Sequence, residues 1–256
     1  MNRIDQLFEE KKSGILSVYF TAGYPRLDDT VTVIRALETR GADLIEIGVP
    51  FSDPMADGPV IQASGARALD NGMSVKYLFG QLAGIRREVS IPLVLMGYLN
   101  PIIQFGFDNY CAEAAKCGID GLIIPDLPFA EYMDSCKAVA EKYGLHIIML
   151  ITPETSEERI RLIDGHTAGF IYMVSTASVT GAKNSFGDES PAYFRRVNAM
   201  RLKNPRLIGF GISNRETFAA ACSEASGAII GSKFISLLSS EKTVDDAVRK
   251  LMDTLR

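Results

Sequence analysis

Metal-binding patterns are missing from this sequence. Histidine occurs twice, at His146 and His166, and neither stands in a cluster with ligand spacing, so no metal is expected. The four cysteines, Cys111, Cys117, Cys136 and Cys222, form no CxxC pair, and a chain of 256 residues does not need a disulfide scaffold. They read as reduced, mostly buried thiols. No GxSxG elbow is present to support a Ser/His/Asp arrangement, and no GxGxxG follows the first strand candidate, where a dinucleotide-binding sheet would carry it. Positive charge is in short supply: 27 Lys and Arg against 31 Asp and Glu give a net charge of −4, which argues against nucleic acid or an anionic membrane as a partner. No apolar run reaches membrane-spanning length. Residues Met1 to Lys12 carry Glu9, Glu10, Lys11 and Lys12 where a signal peptide would have a basic start and an apolar stretch. A cytoplasmic location is the resulting expectation.

What the sequence does contain is alternation. Short apolar runs of strand length recur between amphipathic segments of helix length along the whole chain, the pattern of parallel βα units. Eight strand candidates stand out: Ile15 to Thr21, Leu44 to Gly48, Leu93 to Tyr98, Gly121 to Pro125, Ile147 to Ile151, Phe170 to Val174, Leu207 to Phe210 and Ala228 to Ile230. Helical patterns follow, such as Thr30 to Arg40 and Val75 to Glu88, and glycines close several of them, as at Gly41, Gly118 and Gly144. Eight units allow a closed barrel or an open doubly wound sheet. The first βα turn reads Thr21-Ala22-Gly23-Tyr24-Pro25 and lacks a nucleotide fingerprint, whereas glycine-rich turns follow strands seven and eight, where barrels commonly hold phosphate. The expected fold is an α/β (β/α)8 TIM barrel, one domain over residues 1–256, with an N-terminal helix from Asn2 to Lys11 covering the bottom.

Two connections exceed ordinary βα loop length, and long loops are where function concentrates. One runs from Val49 to about Ser74, with a short extra helix expected from Val60 to Asp70. The other, Ser175 to Ser190, is rich in Ser, Thr, Gly and Ala and reads as a lid.

Alternation along strand two places Leu44, Glu46 and Gly48 on one face and the β-branched Ile45, Ile47 and Val49 on the other. The β-branched face suits the helix layer, so Glu46 points into the barrel near the C-terminal end of its strand. There it is either a general acid/base with a pKa raised by desolvation or a structural glutamate held by hydrogen bonds. Asp57, in the long loop, could fold over the mouth to face Glu46, although Asp57-Gly58-Pro59 is ordinary turn chemistry and the pattern alone favours the turn. Asp126, at the end of strand four, suits a cap or turn at least as well as catalysis. Gly209-Phe210-Gly211-Ile212-Ser213 and Gly231-Ser232-Lys233 follow strands seven and eight; they read as a phosphate cup of backbone N–H groups, or as simple turns.

The stretch from Leu44 to Pro59, LIEIGVPFSDPMADGP, closely resembles the signature of the tryptophan synthase alpha chain family, and the likeness continues through Tyr19 to Pro25, Gly121 to Pro128, Val179 to Gly181, Gly209 to Ser213 and Gly231-Ser232. The resemblance implies retro-aldol cleavage of indole-3-glycerol phosphate to indole and glyceraldehyde 3-phosphate, with Glu46 and Asp57 as the catalytic carboxylates. It further implies that Tyr172 supports the site, Tyr19 and Tyr98 line an indole pocket, Thr180 orders the lid against Asp57, and Gly181, Gly211, Gly231 and Ser232 bind phosphate. Pro50, Asp53, Pro54 and Pro128 would form the docking surface for a beta chain in an alpha2-beta2 complex. Pyridoxal phosphate would belong to that partner, with no cofactor in this chain. One departure stands out: where the family usually reads Ser-Arg-x-Gly-Val-Thr-Gly, this chain reads Ser175-Thr-Ala-Ser-Val-Thr-Gly181, with Thr176 for the arginine and Ser178 for a glycine. The competing readings are a related phosphate-binding barrel enzyme of tryptophan or histidine biosynthesis and a non-catalytic subunit that activates a beta chain.

Overall fold

A computed structural model of the chain describes residues 1–175, 190–209 and 211–255. The apolar runs become strands β1 (Ile15–Thr21), β2 (Leu44–Gly48), β3 (Leu93–Met96), β4 (Gly121–Ile123), β5 (His146–Ile148), β6 (Leu150–Ile151), β7 (Ile171–Val174), β8 (Arg206–Gly209) and β9 (Gly227–Ile230). All pair in parallel in the order β5-β4-β3-β2-β1-β9-β8-β7-β6, so β1 lies between β2 and β9. The two ends of that order are neighbours in sequence, separated only by Met149.

The expected fifth strand is therefore two pieces. β5 pairs with β4 through Gly121 and His146, β6 pairs with β7 through Leu150 and Tyr172, and the Tyr172 N–H donates to the Met149 carbonyl at 3.0 Å between them. Twist rotates the strands of a barrel against one another, so a short segment bonds well to each neighbour over only part of its length. The sheet closes through this one shared segment, which makes the fold a TIM barrel with eight strand positions. Strands three and four also stop earlier than expected. Tyr98 turns away to become the N-cap of a helix, and Pro125 has no N–H to extend a ladder.

The helices are α1 (Arg3–Glu10), α2 (Asp29–Thr39), α3 (Pro59–Asp70), α4 (Val75–Leu82), α5 (Leu99–Phe105), α6 (Phe107–Lys116), α7 (Phe129–Glu131), α8 (Lys137–Lys142), α9 (Glu157–His166), α10 (Ser190–Ala199), α11 (Arg215–Glu224), α12 (Ser232–Ser240) and α13 (Val244–Leu255). A π-helical stretch, Tyr132–Cys136, joins α7 to α8. The helix expected from Val75 to Glu88 ends at Leu82, because the chain turns through Gly84 at φ 82° and resumes as a 3-10 turn over Ile85–Arg87. The extra helix of the first long loop is α3, opened by Pro59 in its first turn, where a missing N–H costs nothing. No described helix is long and apolar enough to cross a membrane.

Two apolar layers result. Outward residues such as Val18, Phe20, Ile45, Ile47 and Leu95 pack against helix residues including Val33, Ile34, Leu37 and Leu251. Inward residues Ile15, Leu44, Val94, Ile123, Ile148, Phe170, Leu207 and Ile229 fill the lower barrel, where Ile4 and Phe8 of α1 join them. The Phe8 and Phe170 rings lie 5.9 Å apart. Polar contacts pin α1 in place: Asn2 Nδ2 donates to the carbonyls of Asp120 and Gly144 at 2.8 and 2.9 Å, and Arg3 pairs with Asp120 at 3.0 Å. The barrel thus has an apolar floor, with its strand C-termini at the opposite end.

Candidate active site

Glu46 stands on the inner face of β2, fully buried, one step above the apolar layer. The Ser17 hydroxyl on β1 donates to Glu46 Oε1 at 2.8 Å, while Oε2 has no hydrogen-bond partner among the described residues. Burial pushes the Glu46 pKa up to about 8, with the Ser17 hydrogen bond pulling the other way. At neutral pH this carboxyl holds its proton, yet it can release it at modest cost.

Such burial has a consequence for stability. In the unfolded chain the carboxyl titrates near 4.5, so the folded state binds the proton more tightly and the Glu46 contribution is lost as pH rises from about 4.5 to about 8. Glutamine does not titrate. The stability of Glu46→Gln relative to the parent is expected to rise across that window by up to about 4 kcal/mol. Urea unfolding at pH 5, 7 and 9 measures this, and a constant difference at all three would show that the carboxyl pays no burial penalty.

Asp57 lies in the loop between β2 and α3. Its N–H donates to the Pro54 carbonyl at 3.3 Å, so the turn chemistry read from the sequence is there, but the residue is also buried. Its carboxyl is hydrogen-bonded to Tyr98, whose hydroxyl in turn accepts from the Ala56 N–H at 3.0 Å. Gln62 of α3 holds the Asp57 carbonyl at 2.8 Å. Burial raises the Asp57 pKa to about 6, opposed by the Tyr98 hydrogen bond.

The tyrosines join the two carboxyl groups into one site. Tyr19 is the register partner of Glu46, and Tyr172 comes from β7. Both are buried, and both hydroxyls are held far above their ordinary pKa, first by burial and then by the charges of Asp57 and Glu46 acting together. They remain neutral donors. Glycine makes room for them: a β-carbon at Gly48 would collide with the Tyr19 hydroxyl, and one at Gly209 with that of Tyr172. Ser17 is not among the residues that the sequence marks out, and the sequence marks Gly209 only as part of a phosphate loop and Gly48 only as an inward position of strand two. The alternation Ile15, Ser17, Tyr19 along strand one would have placed the serine inside, next to the glutamate.

Above the barrel, Gly211 adopts φ 77°, a backbone conformation that a side chain strains. Asn214 and Thr217 form a capping box at the start of α11, and the Ser213 N–H donates to Thr217 Oγ1 at 3.0 Å. That helix end is therefore occupied by its own side chains. The start of α12 is different, because Gly231 at the N-cap offers no side-chain acceptor to the N–H groups of its first turn. A β-carbon on Gly231 would come within 3.3 Å of the Tyr19 ring, so this helix end adjoins the tyrosine beside Glu46. Thr180, Gly181 and the departures at Thr176 and Ser178 lie outside the described residues.

On the rim, Asp53 and Pro128 are exposed and Pro50 and Pro54 half-buried, while Met55, next to Pro54, is 90% exposed. Phe51 stacks on Tyr98 with ring centroids 5.4 Å apart, linking the rim to the site. Asp126 accepts from the Leu99 N–H at 2.9 Å at the start of α5, which is the capping role.

Comparison with known proteins adds the family context. The family model described as tryptophan synthase alpha chain matches residues 5–255. The tryptophan synthase alpha chain of Parabacteroides distasonis is 61% identical over 256 residues, covering 100% of both chains. Among solved structures, the tryptophan synthase alpha chain from Legionella pneumophila superposes with a TM-score of 0.87 at 36% identity, covering 100% of this chain and 95% of that one. A Mycobacterium tuberculosis tryptophan synthase structure gives 0.89 at 31% identity, covering 99% and 96%.

Proposed function

Because the chain belongs to the tryptophan synthase alpha chain family, whose role is that of a lyase in tryptophan biosynthesis, we propose that it cleaves indole-3-glycerol phosphate to indole and glyceraldehyde 3-phosphate. The observation that carries this reading is the pair of buried carboxyl groups, Glu46 and Asp57, with pKa values raised to about 8 and about 6 and with Tyr19 and Tyr172 sensing both. Retro-aldol cleavage needs a proton at indole C3, a base for the side-chain hydroxyl, and an acceptor for the indole N–H as positive charge develops on the ring. Glu46, protonated at neutral pH, gives the proton to C3 and then takes one from the hydroxyl. Asp57, ionised at the same pH, accepts from the indole N–H. Tyr172 supports the site, and Tyr19 and Tyr98 line the indole pocket.

Phosphate is bound by backbone N–H groups at Gly181, Gly211, Gly231 and Ser232, while Thr180 orders the lid against Asp57. The uncapped start of α12 supports this part of the reading. Gly211→Val is expected to raise KM about tenfold or more, because a β-branched side chain is strained at φ 77° and crowds the anion. Lys233→Ala should change KM little, since the donors are main-chain groups. The opposite ranking in steady-state kinetics would replace the backbone cup with a lysine site.

A single barrel domain, residues 1–256, works in the cytoplasm as the alpha part of an alpha2-beta2 complex. Pro50, Asp53, Pro54 and Pro128 form the docking surface, and pyridoxal phosphate is held by the beta partner. Indole release by the purified chain, with and without a beta chain, tests the whole assignment. Release by the chain alone supports catalysis here; stimulation of the beta chain without any indole release would make this a non-catalytic activating subunit.

A further inference from the structure

Ser17 is a hydroxyl in an apolar place. It is fully buried on the inner face of β1, at the register of Leu44 on one side and Ile229 on the other, and both neighbours belong to the aliphatic filling of the barrel. A buried hydroxyl without a partner is destabilising, and the partner it has is Glu46 Oε1 at 2.8 Å. The bond is asymmetric, since it engages one carboxyl oxygen and leaves Oε2, equally buried, without a partner among the described residues.

We infer that Ser17 is a positioning residue for Glu46: by donating to Oε1 it fixes the carboxyl rotation and makes Oε2 the oxygen that carries and exchanges the proton. The inference rests on the proposed role of Glu46 as the acid/base. An oxygen that already accepts the serine O–H is the poorer site for a proton, so protonation falls on Oε2. A donor to the charged form also opposes the effect of burial, which brings the proton affinity of Glu46 closer to neutrality. The other titratable groups around Glu46 are Tyr19 from β1, Tyr172 from β7 and Asp57 from the loop after β2; β3 presents Val94 at the same register. The two tyrosines stay neutral, and Asp57, which is already ionised above about pH 6, leaves Ser17 as the hydroxyl bonded to this carboxyl.

The test is an infrared titration of the full chain that follows the protonated-carboxyl band missing from Glu46→Gln, together with the pH profile of kcat/KM for indole release. In Ser17→Ala the Glu46 band should persist to a pH higher by about one unit, and the limb of the profile governed by that group should move with it. KM should stay within about twofold, and kcat at neutral pH should fall about tenfold as the carboxyl loses its fixed rotation. Ser17→Thr, which retains the hydroxyl, should restore both the band and the profile. Unfolding midpoints of the two variants within a few degrees of the parent would exclude a folding defect; if Ser17→Ala fails this check, the comparison is made between Ser17→Cys and Ser17→Thr, with the shift expected in the cysteine variant. If Glu46→Gln is inactive but removal of the serine hydroxyl leaves band and profile in place, the positioning role is overturned. A Glu46→Gln protein that still releases indole would instead remove the acid/base assignment, whatever the band does.

Discussion

Replacing Glu46 with glutamine should slow indole release by at least ~10²-fold while the fold and the affinity for a substrate analogue persist. The amide matches the carboxyl in shape and can keep the Ser17 contact through its oxygen, so packing around the site changes little. What disappears is exchangeable protonation. A carboxyl with a pKa of about 8 serves both halves of the reaction near neutrality, because neither gaining nor losing its proton costs much there. Glutamine can neither protonate C3 nor accept the hydroxyl proton. Single-turnover indole release, read beside binding of a glycerol phosphate analogue, separates the chemical defect from a binding one. More than half of the parent rate in the variant would return Glu46 to the structural reading.

Asp57→Asn should cost on the order of 10²-fold in kcat, for a different reason. In the proposed role the charge itself is the function. With a pKa of about 6, Asp57 is ionised at neutral pH while Glu46 is protonated, and the separation of the two values matches the two roles proposed for them. Asparagine can still take a hydrogen bond from Tyr98, so the loop should keep its place while the negative charge opposite the indole N–H is lost. The parent enzyme should show the same loss on acidification, with kcat/KM falling below about pH 6 as Asp57 gains a proton. A variant whose acid limb is unchanged would assign that limb to another group.

The sequence disclosed the positions of these groups better than their surroundings. Period-two alternation along strand two was enough to turn Glu46 inward, because the β-branched Ile45 and Ile47 belong against helices. Asp57 was harder, since its turn hydrogen bond to Pro54 is real and local, while its burial depends on Tyr98, forty-one residues further on. Strand five is a single continuous apolar run in the sequence, and the break at Met149 is imposed by two neighbours far apart in sequence. In the sequence Gly48 is only an inward position of strand two, and Gly209 reads as the start of a phosphate loop. Their purpose depends on a tyrosine from the adjacent strand in each case, and no periodicity carries that information.

The apolar floor built by α1 has an effect on proton economy. Ile4 and Phe8 close the barrel beneath the fully buried Glu46, which leaves the mouth at the strand C-termini as the open side among the described residues, the side that the proposed substrate would cover. Under the proposed roles, the proton given to C3 is replaced by the one taken from the substrate hydroxyl, and Glu46 ends each cycle as it began. Catalysis would then be self-contained, running on a proton lent and recovered within a sealed chamber and drawing nothing from the buffer outside.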